Sequence, residues 1–185
     1  MRIVTVGRGH IGSGLAGLWT QAGHDVIQLG RDGGDASLAD LVLVAVPGPA
    51  IGSALAAVRG LHGKVTIDAT NSYGQRSRHF PSQAHEIKSI TGGPTAKSFN
   101  TNWATIYDQI SRQKERPGNL YAADPAAAEI TEQLVRDAGF EPIFVGDLEQ
   151  ARMLEDHVAL IQAVASAGLG PFFYRMSAPP TAPAG

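Results

Sequence analysis

At 185 residues the chain has the length of one domain, with little left for a second. Hydrophobic residues make up 43 % and charged residues 17 %, which supplies a real core and excludes wholesale disorder. Fifteen Lys+Arg against seventeen Asp+Glu leave a formal net charge of −2, without the basic excess of a nucleic-acid binder, and the absence of cysteine excludes disulfides, thiolate nucleophiles and Cys-based metal sites.

Residues 3–6 read as a strand that stops at Gly7. Leu15, Leu18, Trp19 and Ala22 then fall on one helical face, and Gly23 ends that helix. Residues 26–29 form the next strand. The apolar run 41–46 has the pattern of a parallel strand buried on both faces; Pro47 ends it, and a helix around 51–58 follows. A strand at 64–68, a helical stretch around 83–90 and a strand at 95–99 come next. Strands at 120–122 and 143–145 enclose a helix that carries Ile130, Leu134 and Ala138. The last helix, about 148–167, bears one apolar stripe of Ala151, Leu154, Val158, Ile161 and Ala165, widened by Met153, Leu160 and Val164. The excess fits either a broader core contact or burial against a second subunit in a homodimer.

Strands alternating with helices predict an α/β domain with a Rossmann-like, doubly wound, mostly parallel sheet. Such sheets bind ligands beyond the C-terminal ends of their strands, where the strand order reverses. The domain is expected over 1–176, followed by a disordered tail over 177–185 with three prolines and no large apolar residue. No run reaches the roughly 18 apolar residues of a membrane span. The N-terminus lacks a signal-peptide pattern, so a soluble cytoplasmic protein with no membrane partner is expected.

Only nine residues, 32–40, lie between Arg31 and Leu41. Nine extended residues reach about 30 Å. That spans a return along a strand of about 17 Å and a sideways step of about 10 Å, with no room for the usual helix plus strand. The usual third strand is therefore expected to be missing, with at most one helical turn near 37–39.

Gly7-Arg8-Gly9-His10-Ile11-Gly12 is a G-x-G-x-x-G between an apolar strand and an amphipathic helix, the context that separates a dinucleotide fingerprint from an ordinary turn. Gly7 permits the tight turn, Gly9 lets backbone approach a pyrophosphate, and Gly12 lets helix pack on strand. Free N–H groups at the helix start favour the anion. At the end of the second strand, Gln28-Leu29-Gly30-Arg31-Asp32 has no carboxylate where an NAD site places one, and an arginine follows at once. A guanidinium suits a 2′-phosphate, which favours NADP(H). The alternatives are a solvated Arg31 or an Asp32 that reaches the ribose.

With these segments in place the chain resembles the NADP oxidoreductase, coenzyme F-420-dependent family. The matching segments are residues 4–12, Gly30-Arg31, the run 41–47, Ile67-Asp68-Ala69-Thr70-Asn71, Ala96-Lys97-Ser98-Phe99-Asn100-Thr101, and residues 148–155, in family order over about 1–175. The K-x-F-N-T segment is the most specific. The resemblance implies that Gly30 and Arg31 hold the 2′-phosphate, that Val46 and Pro47 flank ribose and nicotinamide, and that Phe99, Asn100 and Thr101 line the nicotinamide side. It also implies a hydride acceptor, coenzyme F-420 or a flavin, stacked on the nicotinamide. Two departures stand out. The short 32–40 link removes a basic helix that supplements the phosphate site in relatives, and Asn71-Ser72-Tyr73-Gly74 lacks the proline that often follows this turn.

Hydride transfer between such rings needs no protein nucleophile, so no catalytic side chain is assigned. His10 sits in the glycine loop and is a candidate for contact with pyrophosphate or nicotinamide. His79 and His85 are candidates to reach the cleft, and His24, His62 and His157 read as structural or exposed. No H-E-x-x-H spacing occurs, which argues against a catalytic metal. Arg76, Arg78 and His79, and a second cluster of Arg112, Lys114 and Arg116, would attract an acidic coenzyme tail; two solvated loops are the plainer reading. Beside the NADPH-dependent reductase stand a reductase of small imines, hydroxy acids or ketones and a non-catalytic NADP-binding redox sensor. The former requires a long helical second domain, and only about 40 residues follow the last strand here.

Overall fold

A computed structural model describes residues 1–72 and 79–179. Among them, seven strands form one sheet. They are β1 (Arg2–Val6), β2 (Asp25–Leu29), β3 (Leu41–Val44), β4 (Val65–Asp68), β5 (Thr95–Ser98), β6 (Gly118–Ala123) and β7 (Glu141–Gly146). Their order is β2-β1-β3-β4-β5-β6-β7. The first five run parallel, β6 pairs antiparallel with β5, and β7 runs parallel to β6. The protein is thus an α/β, Rossmann-like fold with a mostly parallel sheet. The strand order reverses between β1 and β3, which places the switch point beside the glycine loop.

Five α-helices cover the sheet: α1 (His10–Gln21), α2 (Ile51–Ala56), α3 (Gln83–Thr91), α4 (Pro125–Asp137) and α5 (Ala151–Val164). Side-chain alternation sorts the central strands between two layers. Ile3, Leu41 and Leu43 join Leu15 and Trp19 of α1 and Leu134 of α4 in one core. Val4, Val6, Val42 and Val44 join Ile51 and Leu55 of α2 and Ile87 of α3 in the other. The Trp19 indole donates to the Leu134 carbonyl at 2.9 Å and ties α1 to α4 inside the first layer. On α5 the predicted stripe and the residues expected to widen it part company, and Ala165 at the end of the stripe is only half-buried. Ala151, Leu154, Val158 and Ile161 are buried, while Met153, Leu160 and Val164 stay exposed. No helix of the described residues is long and apolar enough to cross a membrane.

The short link behaves as its length demands. Within 32–40 only Gly34–Asp35 is extended, pairing with Val58–Arg59 in a separate two-stranded ladder outside the main sheet. A single turn follows, closed by the Ala39 N–H on the Ala36 carbonyl at 2.9 Å. Without a helix to absorb them, two further carbonyls are taken by one side chain: the Lys64 Nζ donates to Ser37 O at 2.8 Å and to Ala39 O at 2.7 Å. The 41–46 run is strand only through Val44, although Ala45 N–H still donates to Val6 O. The antiparallel turn of β6 has a plain cause. The connection 99–117 carries 3₁₀ turns over Ala104–Arg112 rather than a crossover α-helix, so β6 returns beside β5 in the opposite sense.

A charged cluster lies inside this frame. Lys97 on β5 is fully buried. Its Nζ donates to Asp68 Oδ2 at 2.8 Å and to Thr70 O at 2.6 Å, and lies 3.6 Å from Glu155 Oε1 on α5. Glu155 accepts from the Gln83 N–H at 2.7 Å, and Asp68 from the Thr70 N–H at 2.8 Å. One cation therefore faces two carboxylates. Burial, and then the charge of Asp68, push the Glu155 carboxyl above its ordinary value of 4.5, against the opposing pull of Lys97.

Lys97→Met leaves both carboxylates buried without a counter-charge. It should lower the unfolding free energy by about 3–5 kcal/mol, read by calorimetry as a drop in Tm on the order of 10 °C. Native Glu155 keeps its proton to higher pH than the unfolded chain does. Its stabilising contribution is therefore complete below about pH 4.5 and is lost as pH rises through the native value. Wild type should accordingly lose stability relative to Glu155→Gln as pH rises above 4.5. A difference that stays flat with pH would contradict a surplus buried charge.

Candidate nucleotide-binding site

The glycine loop is built by close backbone approach. Gly7 has φ +112°, and a Cβ there would lie 2.3 Å from the Ala45 carbonyl oxygen. A Cβ on Gly12 would lie 2.1 Å from the Gly7 oxygen. Both positions therefore exclude side chains, and α1 is drawn tightly against β1 and the end of β3. Gly9 differs: nothing lies within 4 Å of where its Cβ would be, so this glycine opens a cradle instead of closing a contact. Gly9 is also the N-cap of α1, and having no side chain it leaves the N–H groups of the first turn uncapped. The first turn carries no acidic residue, so the positive end of the helix dipole is unopposed.

Beside the loop lies the end of β2. Ser13 Oγ donates to Gln28 Oε1 at 3.1 Å and links the helix to that strand. The Arg8 side chain lies across Gly30: a Cβ at position 30 would sit 2.0 Å from Arg8 Nη2. Arg31 follows, and both arginines are exposed. Neither forms an ion pair among the described residues. The Arg8 guanidinium thus lies on the glycine that Arg31 follows in sequence. Asp32 is exposed as well.

The loop opens on its other side into a cleft of about 250 Å³. His10 and Ile11 form one wall, residues 100–105 another, and Val158, Ile161 and Gln162 of α5 a third. Phe99 sets the second wall without belonging to it. Its ring is fully buried, edge-on to Trp19 at 5.7 Å and to Phe140 at 6.3 Å. Its φ of +61° is a left-handed conformation that an L side chain adopts at a cost of about 1–2 kcal/mol. That turn sends the ring into the core while Asn100 and Thr101 line the cleft. Asn100 is fixed from three sides. Its Nδ2 donates to Asn71 Oδ1 at 3.1 Å and to Leu154 O at 2.9 Å, and its own carbonyl accepts from Asn71 Nδ2 at 2.9 Å. Thr101 Oγ1 pairs with the Tyr174 hydroxyl at 2.6 Å, which docks the segment after α5 onto this wall. Burial raises the Tyr174 phenol.

The predicted site residues divide accordingly. Gly7, Gly9, Gly12, Arg8, Gly30 and Arg31 form the loop and the strand end; His10, Ile11, Asn100 and Thr101 line the cleft. Val46 borders the loop, 3.2 Å from a Cβ built on Gly7, and exposed Pro47 follows it. His85 does not enter the cleft: it pairs with Ser82 Oγ at 2.7 Å and Glu149 at 3.3 Å at the start of α3. His24 bridges the Met1 amino group and Asp137. Arg116 lines a separate groove with Gln21 and Asp137, so the 112–116 cluster is not drawn to the cleft. Arg76 and Arg78 lie outside the described residues, as do residues 180–185 of the tail. Sequence reasoning missed Asn102 and Trp103 in the cleft wall, because nothing in their spacing marks them.

No family model matches the sequence, and no curated protein matches it. Solved structures do. A candidate F-420-dependent NADP reductase of Arthrobacter sp. FB24 aligns over 95 % of this chain and 99 % of its own, with 22 % identity and a TM-score of 0.76. An imine reductase of Pseudomonas sp. aligns over 91 % of this chain with 16 % identity and a TM-score of 0.67. A reductive aminase of Aspergillus terreus, in complex with NADPH and ethyl levulinate, aligns over 91 % with 19 % identity and a TM-score of 0.65. This chain spans 62 % of each of the latter two. The likenesses show a shared fold, the Rossmann-like α/β sheet described above.

Proposed function

We propose that the protein is an NADP-dependent oxidoreductase that transfers hydride between NADP(H) and a planar acceptor, a deazaflavin such as coenzyme F-420 or a flavin. One observation carries the reading: the Arg8 guanidinium lies across Gly30, exposed Arg31 follows that glycine, and neither arginine has a carboxylate partner among the described residues. An anionic ribose substituent matches that charge, and a bare 2′-hydroxyl does not. The fold shared with the Arthrobacter structure and with the NADPH-bound Aspergillus structure supports it.

In this reading the first-turn N–H groups of α1 hold the pyrophosphate, Arg8 and Arg31 the 2′-phosphate, and Val46 and Pro47 border the ribose. Asn100 and Thr101 wall the space for the reactive ring. When bound, NADPH supplies two electrons and one proton as hydride, and solvent supplies the second proton that a reduced deazaflavin or flavin carries. The chain's own contribution is orientation. The cleft walls are pinned by buried hydrogen bonds, so two flat rings can be held face to face with little reorganisation. No side chain needs to act as nucleophile, and none in the cleft is arranged as one.

Arg8→Ala and Arg31→Ala should each weaken NADPH binding by roughly 10- to 100-fold and leave NADH nearly unchanged, as calorimetry would show. Equal losses for both nucleotides would remove the 2′-phosphate assignment. Gly30→Ala should displace the mobile Arg8 head with little change in Tm and reproduce the NADPH loss. For the acceptor, NADPH oxidation followed optically with F-420, then FMN, then a panel of imines and ketones decides. Turnover with F-420 or FMN is expected, turnover only with imines or ketones would move the substrate class, and tight binding without turnover would make the protein a redox-sensing module.

A further inference from the structure

Two banks of the cleft are joined by the chain itself. Ile161 and Gln162 line one bank from α5, and residues 100–105 form the other. Past α5 the backbone makes a π-turn over Ala165–Leu169, takes left-handed conformations at Gly168 (φ +116°) and Gly170 (φ +70°), and runs without regular structure to Tyr174. The Tyr174 hydroxyl there meets Thr101 Oγ1 at 2.6 Å. Residues 163–174 thus lead from one bank to the other as a strap.

The far bank needs such a tie. β5 ends at Ser98, so the chain beyond it has no sheet ladder to hold it. Asn100 is held by Asn71 and the Leu154 carbonyl, and the residue after it is held by Tyr174. The strap has two separable anchors. One docks it on the sheet: the Gly118 N–H donates to Tyr174 O at 2.7 Å, a Cβ on Gly118 would lie 3.4 Å from the Tyr174 ring, and Phe173 packs against the first core layer. Arg175 adds an ion pair with Glu115. The other anchor is the hydroxyl. It accepts from the Leu120 N–H at 3.3 Å, and the Asn102 side chain hydrogen-bonds it as well. Burial raises the phenol, so it keeps a proton for the bond to Thr101.

We infer that Tyr174 is a positioning residue of the cleft, whose hydroxyl lets the segment after α5 hold Thr101, and with it the bank of residues 100–105, at a set distance from α5. The inference rests on the NADP reading above and deepens it. The site contributes proximity more than chemistry, and the separation of the two banks decides how closely two stacked rings are held. Removing one phenolic oxygen frees the bank to pivot about Asn100, while the backbone and ring of the strap stay docked.

The test compares NADP⁺ with 2′-phospho-ADP-ribose, which keeps the phosphates and has no pyridine ring, by calorimetry. Tyr174→Phe should weaken NADP⁺ roughly 3- to 10-fold, the range for one neutral hydrogen bond, and leave 2′-phospho-ADP-ribose unchanged. Thr101→Val cuts the same bond from the other side, so the double variant should lose less NADP⁺ binding free energy than the two single losses added together. Coupling is reciprocal, so in the wild type NADP⁺ should slow hydrogen exchange of the Gly118 N–H several-fold, and 2′-phospho-ADP-ribose should not. With 2′-phospho-ADP-ribose bound by the wild type, the positioning role alone is overturned if Tyr174→Phe weakens both ligands equally or neither, or if the two losses simply add. Exchange at Gly118 that is indifferent to NADP⁺ overturns it as well, and that measurement needs no variant to fold. Failure of the wild type to bind 2′-phospho-ADP-ribose overturns the NADP reading and this inference with it.

Discussion

A buried ammonium organises the functional end of this sheet. Lys97 draws together Asp68 at the end of β4, the Thr70 carbonyl beyond it and Glu155 on α5. With the β5 strand of Lys97 itself, that joins three segments distant in sequence, and each leads directly to a cleft residue. Asn71 follows Thr70, Asn100 lies three residues past Lys97, and Asn100 donates to the carbonyl of Leu154, next to Glu155. The charge cluster is the foundation on which the asparagine wall stands. A hydrophobic substitute of similar volume could fill the same space. It could not replace the ammonium's hydrogen bonds to the Asp68 carboxylate and the Thr70 carbonyl, which fix the chain just before Asn71.

Much of the frame was legible because it rests on local rules. The glycine loop declared itself through its position between an apolar strand and an amphipathic helix. The missing third strand followed from chain reach alone, and the apolar stripe of α5 from helical spacing. The antiparallel return of β6 was not legible, because 3₁₀ turns over Ala104–Arg112 leave no strong periodic signal. Phe99 shows a different limit. Its position after Lys97-Ser98 marks the right segment, but the direction of its ring is decided by a positive φ that no propensity predicts for phenylalanine. Asn102 and Trp103 were invisible for a third reason: they reach the cleft from the irregular segment between β5 and the 3₁₀ turns, where no periodic pattern marks which residues line it.

Fold and function stand on different ground in this molecule. The sheet order and the likeness to reductases of known structure establish the scaffold. Scaffolds of this kind carry many chemistries, so the reaction has to be read from the site. What the site offers is two exposed arginines at the end of β2 and in the glycine loop, a helix start at α1 without an acidic residue, and a cleft lined by Asn100, Thr101 and α5. In the proposed reading, the ligand that matches them is long and carries its charge at one end.

The truncated link between β2 and β3 has a consequence for how such a ligand is held. With no helix over that corner, Arg8 and Arg31 stand in water rather than under a protein roof. Attraction between exposed charges is screened over about 8 Å at physiological ionic strength and less strongly in dilute buffer. Dissolved ions therefore compete directly for the cationic corner and for the exposed cradle at Gly9, while the lining of the cleft carries no Asp, Glu, Lys or Arg among the described residues. The grip on the charged end of the ligand rises and falls with the salt around the protein, and the grip on the ring does not.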